Sequence, residues 1–391
     1  MADAVLRAVA APAEDRAARV AVGAVARTPW SHIALAVLGL RILLSALALG
    51  TVWTLPGSRG AGPQALLLDP WRHFDALWFV RIAAHGYGRG DLSTAYMPLY
   101  PLLLRCASVL TGGHLFSAAI LASNLSCVGA VGLIWRWVAD RHGGPVAWRT
   151  IALLLLFPDG FFLLGAYSES TFLLFSAGTL LALGRGRWLL AGTLATLATL
   201  TRLQGLVLVV PILTAAWPHR REARTVAVVF IAAALPPIGS WLYQRLLFAT
   251  LGGGDLLHTF RNQWNIPIQA PWQTVWRYVT VIRSPKWSMF HSHVYNYVML
   301  WDLTIAALGL LVLILSWRRL GPALCLYGLA GWCFMMTRWY STGRYTLAIL
   351  PFFLALALWT ETPRRFRWLS TASLALLVFF VTQFVQNSWI D

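Results

Sequence analysis

The sequence predicts an all-α fold: a polytopic transmembrane helical bundle of about 11–12 spans, with further helices lying in the membrane interface on its outer face. Three observations carry this. Of 391 residues, 58% are hydrophobic and only 12% are charged, about half the charge of a soluble domain. Apolar runs of about 20 residues recur, and in lipid each must satisfy its own backbone, as a helix does. Finally, arginines gather in short connections between the runs, the bias that orients membrane helices.

Residues 1–30 are Ala-rich and mixed in charge, with Arg7, Arg16, Arg19 and Arg27 placing this tail in the cytoplasm. The apolar run that follows is long for a signal-peptide core, so it is read as an uncleaved first helix. Candidate spans within the membrane domain, 31–391, are 31–53, 115–135, 147–165, 170–183, 187–201, 205–217, 225–248, 293–316, 320–336, 344–359 and 366–386. Several are too short to cross upright; broken half-helices around a cavity explain them.

Placing the arginine-bearing connections 136–149, 184–187, 218–224, 317–319 and 364–367 inside gives a consistent alternation. Segment 96–112 then begins and ends outside. Pro98 and Pro101 at its start and Gly112-Gly113 at its end suit a re-entrant or interfacial helix, with a true crossing as the alternative. The same alternation puts 54–95, 158–169, 201–205, 249–292 and 337–344 on the outer face. The two long outer loops are 54–95 and 249–292. One composite extracytoplasmic site is the economical reading.

The net charge of +17 therefore reports orientation, and no nucleic-acid partner is expected. Lys286 is the one lysine among the basic residues, a bias pointing to a GC-rich genome and so to a bacterial plasma membrane. Cys106, Cys127, Cys325 and Cys333 lie in apolar segments without paired spacing and read as packing residues.

With 14 acidic residues in all, a general base can be sought by exclusion. Asp3, Glu14, Asp15 and Asp391 are terminal, and Asp140, Glu222 and Glu361 fall in inferred cytoplasmic connections. Asp91 and Asp255 neighbour glycines and read as turn residues. Asp69, before Pro70, reads as a helix cap. Asp302 sits near the outer end of a span, either catalytic or paired with a buried arginine. Asp159 and Glu169 bracket 157–170, where Ser168 is a candidate cap and Glu169 suits the first helical turn. Asp75 lies on a segment, Trp71–Ala84, whose Phe74, Leu77, Trp78, Arg81 and Ile82 recur at helical spacing, an amphipathic interfacial helix. The residues alone leave two readings of Asp75: an ion pair with Arg72, or a catalytic base.

Arg202 and Arg344 open or close spans at the outer edge. Either they snorkel to headgroups, or their planar forks clamp a lipid phosphate. Trp264 and Asn265 lie in a loop where tryptophans beside Asn and Gln suit a sugar, or an ordinary interfacial belt. His73, His85, His291 and His293 lack the companions of a metal site, so no metal or other cofactor is expected.

Phe74-Asp75, Gly86-Tyr87, Pro98-Leu99-Tyr100-Pro101, Tyr167-Ser168-Glu169-Ser170 and Arg202 with Gly205 follow one another in an order that resembles the PIG-V-like mannosyltransferases. The likeness covers about residues 70–210 and continues through Trp264–Pro267 and Arg344-Tyr345. Phe74, Tyr96-Met97 and Gln204 stand where that family commonly has Trp, Phe-Phe and Asn. The resemblance implies a membrane glycosyltransferase fold of GT-C type, a polyprenyl-phosphate-mannose donor, a lipid or glycolipid acceptor, an outward-facing site, inversion at the anomeric carbon, and Asp75 as base. On this basis Arg72, Tyr87, Tyr96, Tyr167, Glu169, Arg202, Gln204, Trp264, Asn265, Arg344 and Tyr345 are expected to bind substrate. A lipid or sugar-lipid transporter is the rival from another class, and glucose or arabinose the rival sugars. Polar residues collected on one face favour the enzyme over the transporter.

Overall fold

Apolar length sorts the helices into two classes. The computed structural model describes residues 27–54, 67–89, 91–252, 258–259, 261, 268–283, 293–338 and 340–386. Its principal helices are α1 (Trp30–Trp53), α2 (Asp75–His85), α3 (Leu99–Ala107), α4 (Leu115–His142), α5 (Gly144–Leu155), α6 (Glu169–Leu183), α7 (Trp188–Thr201), α8 (Val209–Ala215), α9 (Ala223–Leu251), α10 (Pro271–Arg283), α11 (His293–Leu315), α12 (Pro322–Met335), α13 (Thr342–Thr346), α14 (Leu350–Trp359) and α15 (Pro363–Val385). Among the described residues there is no strand. Among the described residues, five helices, α1, α4, α9, α11 and α15, are long and apolar enough to cross a membrane. Seven further apolar helical segments are 10–17 residues long. At 1.5 Å per residue, such segments span only about 15–25 Å, short of a full hydrocarbon core.

The long helices leave large apolar side chains exposed: Leu38 and Ile42 on α1, Phe230, Trp241 and Leu246 on α9, Leu311 and Ile314 on α11. Such a belt has a favourable solvent only in lipid. Among the short helices, α6 and α14 are packed inside. α6 lies against α4 and α7, and α7 against α9, with the small residues Ala191, Gly192, Ala195 and Ala198 of α7 buried at these contacts. Small side chains let helices approach closely where no hydrophobic drive operates.

Two expected spans are interrupted. The run 147–165 is helical only to Leu155; it then turns through Pro158 into a buried 3-10 turn, Gly160–Leu163. The run 344–359 divides into α13 and α14 around 347–349, with Pro351 in the first turn of α14, where its missing N–H costs nothing. Within 205–217, a 3-10 stretch, Leu203–Leu208, precedes the short α8. Segment 96–112 forms α3 and a 3-10 turn, Ser108–Thr111. Cys127 and Cys325 are buried as expected, whereas Cys106 and Cys333 are exposed, on faces that packing does not cover.

The arginine-bearing connections converge at one end of the bundle. There Arg149 Nε donates to Ala357 O at 3.1 Å, Arg319 pairs with Glu361 at 3.0 Å, and Trp188 meets His219 edge-on at 5.8 Å. At the opposite end the short helices stop, and the residues that follow them form the site.

Candidate functional site

Asp75 is the first residue of α2, where a carboxylate faces the positive end of the helix dipole. The expected helix over Trp71–Ala84 is therefore shorter: a 3-10 turn, Asp69–Trp71, precedes it. Its buried face is Ala76, Phe79, Ile82 and Ala83, while Leu77 is exposed. The reason lies at Phe74, whose φ of +50° breaks the periodicity before Asp75. A bulky residue in that region costs on the order of 1–3 kcal/mol and persists only where its surroundings impose it. Those surroundings are aromatic. Phe384, near the end of α15, centres a cluster with His73 at 5.3 Å, Phe74 at 5.9 Å, Phe161 at 5.1 Å, Phe162 at 5.8 Å, Tyr167 at 6.2 Å and Trp71 at 6.2 Å.

Four ionised side chains form an alternating chain. Arg344 Nη1 donates to Asp75 Oδ2 at 2.7 Å. Arg344 Nε donates to Glu169 Oε1, which also accepts from Arg202 Nη1 at 2.5 Å. The side chains of Arg344, Glu169 and Arg202 are 3%, 4% and 12% exposed, against 23% for Asp75. Two anions and two cations cancel, the arrangement that makes such burial tolerable.

Each member is held by neighbours. Tyr96 Oη donates to Asp75 Oδ1 at 2.6 Å, and the Tyr96 carbonyl accepts from Tyr87 Oη at 3.1 Å and Tyr243 Oη at 3.3 Å. Burial pushes the Tyr87 phenol above its usual range, so it remains a donor. The Arg344 guanidinium lies 4.8 Å over the Phe162 ring and 4.7 Å over Tyr167. Tyr167 Oη donates to His73 O at 2.9 Å, and the Tyr167 carbonyl accepts from Ser123 Oγ at 2.8 Å, itself bonded to Tyr100 Oη at 2.7 Å. Arg202 bonds Gln204 Oε1 and Ser168 Oγ, each at 3.1 Å, and stacks 5.1 Å over Tyr345. Ser168 thus receives an arginine rather than capping α6 with its side chain.

Two glycines let the arginine-bearing turns approach. A side chain at Gly205 would strike the backbone of Thr199. One at Gly343 would strike Trp301 Nε1 and Asp159 Oδ2. Asp302 Oδ1 accepts from Gly343 N at 2.7 Å, and its Oδ2 accepts from Tyr278 Oη at 3.0 Å. Asp159 Oδ2 accepts from Trp301 Nε1 at 2.9 Å. These two buried aspartates fasten the turn that presents Arg344.

A narrow cleft, too tight to hold a water molecule as it stands, is lined by Glu169, Phe172, Leu173, Arg202, Gln204, Arg344, Leu347 and Ala348. Asp75 adjoins it through Arg344. The cluster is recessed: Ser123 lies eight residues inside the start of α4 and Tyr243 eight residues inside the end of α9, a depth of about 12 Å at 1.5 Å per residue.

The expected base, Asp75, and, of the residues expected to bind substrate, Tyr96, Tyr167, Glu169, Arg202, Gln204, Arg344 and Tyr345 come together here. Tyr87 stands behind Tyr96. Arg72 stands apart: it pairs with Asp69 at 3.3 Å and covers Phe116 at 5.2 Å. The Arg72–Asp75 pair, one of the two readings of Asp75, does not form, because Phe74 turns Asp75 away toward Arg344. Asp69 accordingly serves as an ion-pair partner, without a side-chain capping bond. Asp91 behaves as expected, accepting from Ser93 N at 2.9 Å in its turn. Trp264, Asn265 and Asp255 lie outside the described residues. Among the described residues, no three His, Cys, Asp or Glu side chains form a metal-ligand set.

Sequence reasoning passed over Phe384, whose apolar neighbours gave no signal, and Arg41. Arg41 Nη1 donates to Leu164 O at 3.0 Å and its guanidinium covers Trp71 at 4.7 Å. An arginine midway along an apolar run was a visible signal.

The chain matches no protein-family model and no curated protein. Among solved structures it is similar to ArnT from Cupriavidus metallidurans bound to undecaprenyl phosphate (19% identity, TM-score 0.49, covering 88% of this chain and 62% of that one). It is also similar to the Archaeoglobus fulgidus oligosaccharyltransferase in the apo form (12% identity, TM-score 0.46, 89% of this chain and 56% of that one). The chain thus spans less than two thirds of either protein. With both TM-scores below 0.5, the reading of the site rests on its own residues.

Proposed function

We propose that this chain is a membrane glycosyltransferase of GT-C type, as its resemblance to the PIG-V-like mannosyltransferases implies. It moves mannose from polyprenyl-phosphate mannose to a lipid or glycolipid acceptor on the extracytoplasmic side of a bacterial plasma membrane. The observation that carries the reading is the recessed chain Asp75–Arg344–Glu169–Arg202 beside a cleft. It joins a carboxylate held by Tyr96 to two guanidiniums suited to phosphate.

In the proposed reaction the acceptor oxygen bonds to the anomeric carbon as its proton passes to Asp75. The bond from that carbon to the phosphate oxygen breaks, and its electron pair leaves with the phosphate. Arg202 and Arg344 stabilise the charge that collects there. Attack from the face opposite the leaving group inverts the centre. Gln204 and Tyr345 hold Arg202 in place. Tyr167, Glu169, Trp264 and Asn265 supply sugar contacts, and the exposed Arg72 meets headgroups.

The test is transfer of radiolabelled mannose from polyprenyl-phosphate mannose to a polar lipid extract in proteoliposomes. Asp75→Asn should lower the rate by about 10²–10⁴-fold, the usual contribution of a general base. Full activity in that variant rejects Asp75 as the base. Donor flux without transfer rejects the enzyme in favour of a transporter.

A further inference from the structure

Arg344 is the one described residue that touches Asp75, Glu169 and the cleft together. Its fork is already divided, with Nη1 on Asp75 and Nε on Glu169. A phosphate approaching Arg202 and Arg344 from the cleft therefore meets a guanidinium whose charge Asp75 and Glu169 already share. Resting on the proposed function, we infer that Asp75 and the lipid phosphate compete for Arg344, so that the protonation of Asp75 during transfer tightens the hold on the product phosphate and its later deprotonation expels it.

The charges follow the reaction through. Before transfer, Asp75 is an anion on Arg344, and the donor is a phosphodiester with one negative charge. During transfer the acceptor proton neutralises Asp75 while the departing phosphate gains the electron pair of the broken bond. Arg344 then keeps Glu169 on Nε and gains the product phosphate as its second anionic partner in place of Asp75. When Asp75 gives its proton to water, its carboxylate reclaims Nη1 and the phosphate loses a partner. Coupling of this kind is reciprocal: whatever removes the charge of Asp75 must strengthen phosphate binding. Tyr96 has a part in this cycle, since its hydroxyl on Oδ1 keeps the carboxylate within reach of Arg344 in either state.

The inference makes the base an antagonist of the leaving group. A variant that destroys catalysis should bind the product lipid better than the intact enzyme does. Asp75→Asn keeps the shape of the side chain and removes its charge. Binding of undecaprenyl phosphate to the protein in nanodiscs should tighten about tenfold in Asp75→Asn. The gain should vanish in the Asp75→Asn/Arg344→Gln double variant, with Arg344→Lys as the second arm if Gln at that position prevents folding. A wild-type affinity that depends on Arg344 but is unchanged or weakened by Asp75→Asn overturns the competition and leaves the phosphate reading standing. An affinity indifferent to both Arg344 and Arg202 overturns the phosphate reading itself, and the competition with it.

Discussion

Glu169→Gln separates a structural ion chain from an incidental one. Glu169 Oε1 receives both Arg202 and Arg344, and all three side chains are at most 12% exposed. Removing the charge leaves Arg344 balanced by Asp75 and Arg202 held by the neutral Gln204 and Ser168. Breaking a buried pair by deleting one partner costs about 3–5 kcal/mol, a large part of a whole-protein stability of about 5–15 kcal/mol. In a chain of this size that corresponds to a fall in Tm of about 4–6 °C. Glu222 provides the contrast. His219 and Thr225 hydrogen-bond its carboxyl and hold it below the usual range, but it is exposed to solvent, and Glu222→Gln should leave Tm unchanged. The assay is thermal unfolding in detergent followed by tryptophan fluorescence. Added undecaprenyl phosphate should restore part of the loss in Glu169→Gln, since a bound anion returns the missing charge. If Glu169→Gln melts with the wild type and the Glu222 variant, the ion chain does not hold the site together.

Three further outcomes are expected. Phe384→Ala empties the centre of the aromatic cluster and should cost about 3–5 kcal/mol, read as a lowered Tm with transfer lost at temperatures where the protein remains folded, because the Phe74 turn relaxes. Gly343→Ala drives a methyl group into Trp301 and Asp159; it should destabilise by about 1–3 kcal/mol and lower transfer, measured by the same two assays. Burial holds His73 below its ordinary value of 6.5, with Asp69 partly opposing. The folded imidazole is thus neutral where the unfolded one takes a proton, so its contribution to stability is full above about pH 6.5 and declines as the pH falls through that value. His73→Phe should flatten this acid limb of a Tm–pH curve.

The apolar runs were legible because a backbone in lipid has few options, and parity then brought 158–169, 201–205 and 337–344 to one end of the bundle. That is how Glu169, Arg202 and Arg344 could be named together from the chain alone. Their pairing was not legible. Helical spacing put Arg72 beside Asp75, but the backbone of Phe74 leaves the helical region, and spacing has no meaning across such a turn. The roles of Asp159 and Asp302 were hidden for a related reason. Asp302 bonds the Gly343 amide and Asp159 bonds Trp301 on α11, each more than 40 residues away in the chain, and no local pattern records such a contact. Phe384 is the extreme case: it is a phenylalanine in an apolar helix, distinguishable from its neighbours only by what surrounds it.

If the chain works as proposed, the step of about 12 Å from the ends of α4 and α9 to Ser123 and Tyr243, the residues behind the ionic cluster, makes the bundle a depth gauge. Under the proposed function, selection on such a site concerns where along the membrane normal a hydroxyl is carried, before any question of which sugar bears it. A lipid whose head rides at the level of Arg202 and Arg344 arrives already in register, by sliding sideways. A freely dissolved sugar must first leave water and descend. On this view two lipids of different chemistry but equal head depth are closer rivals as acceptors than two identical sugars, one tethered and one free.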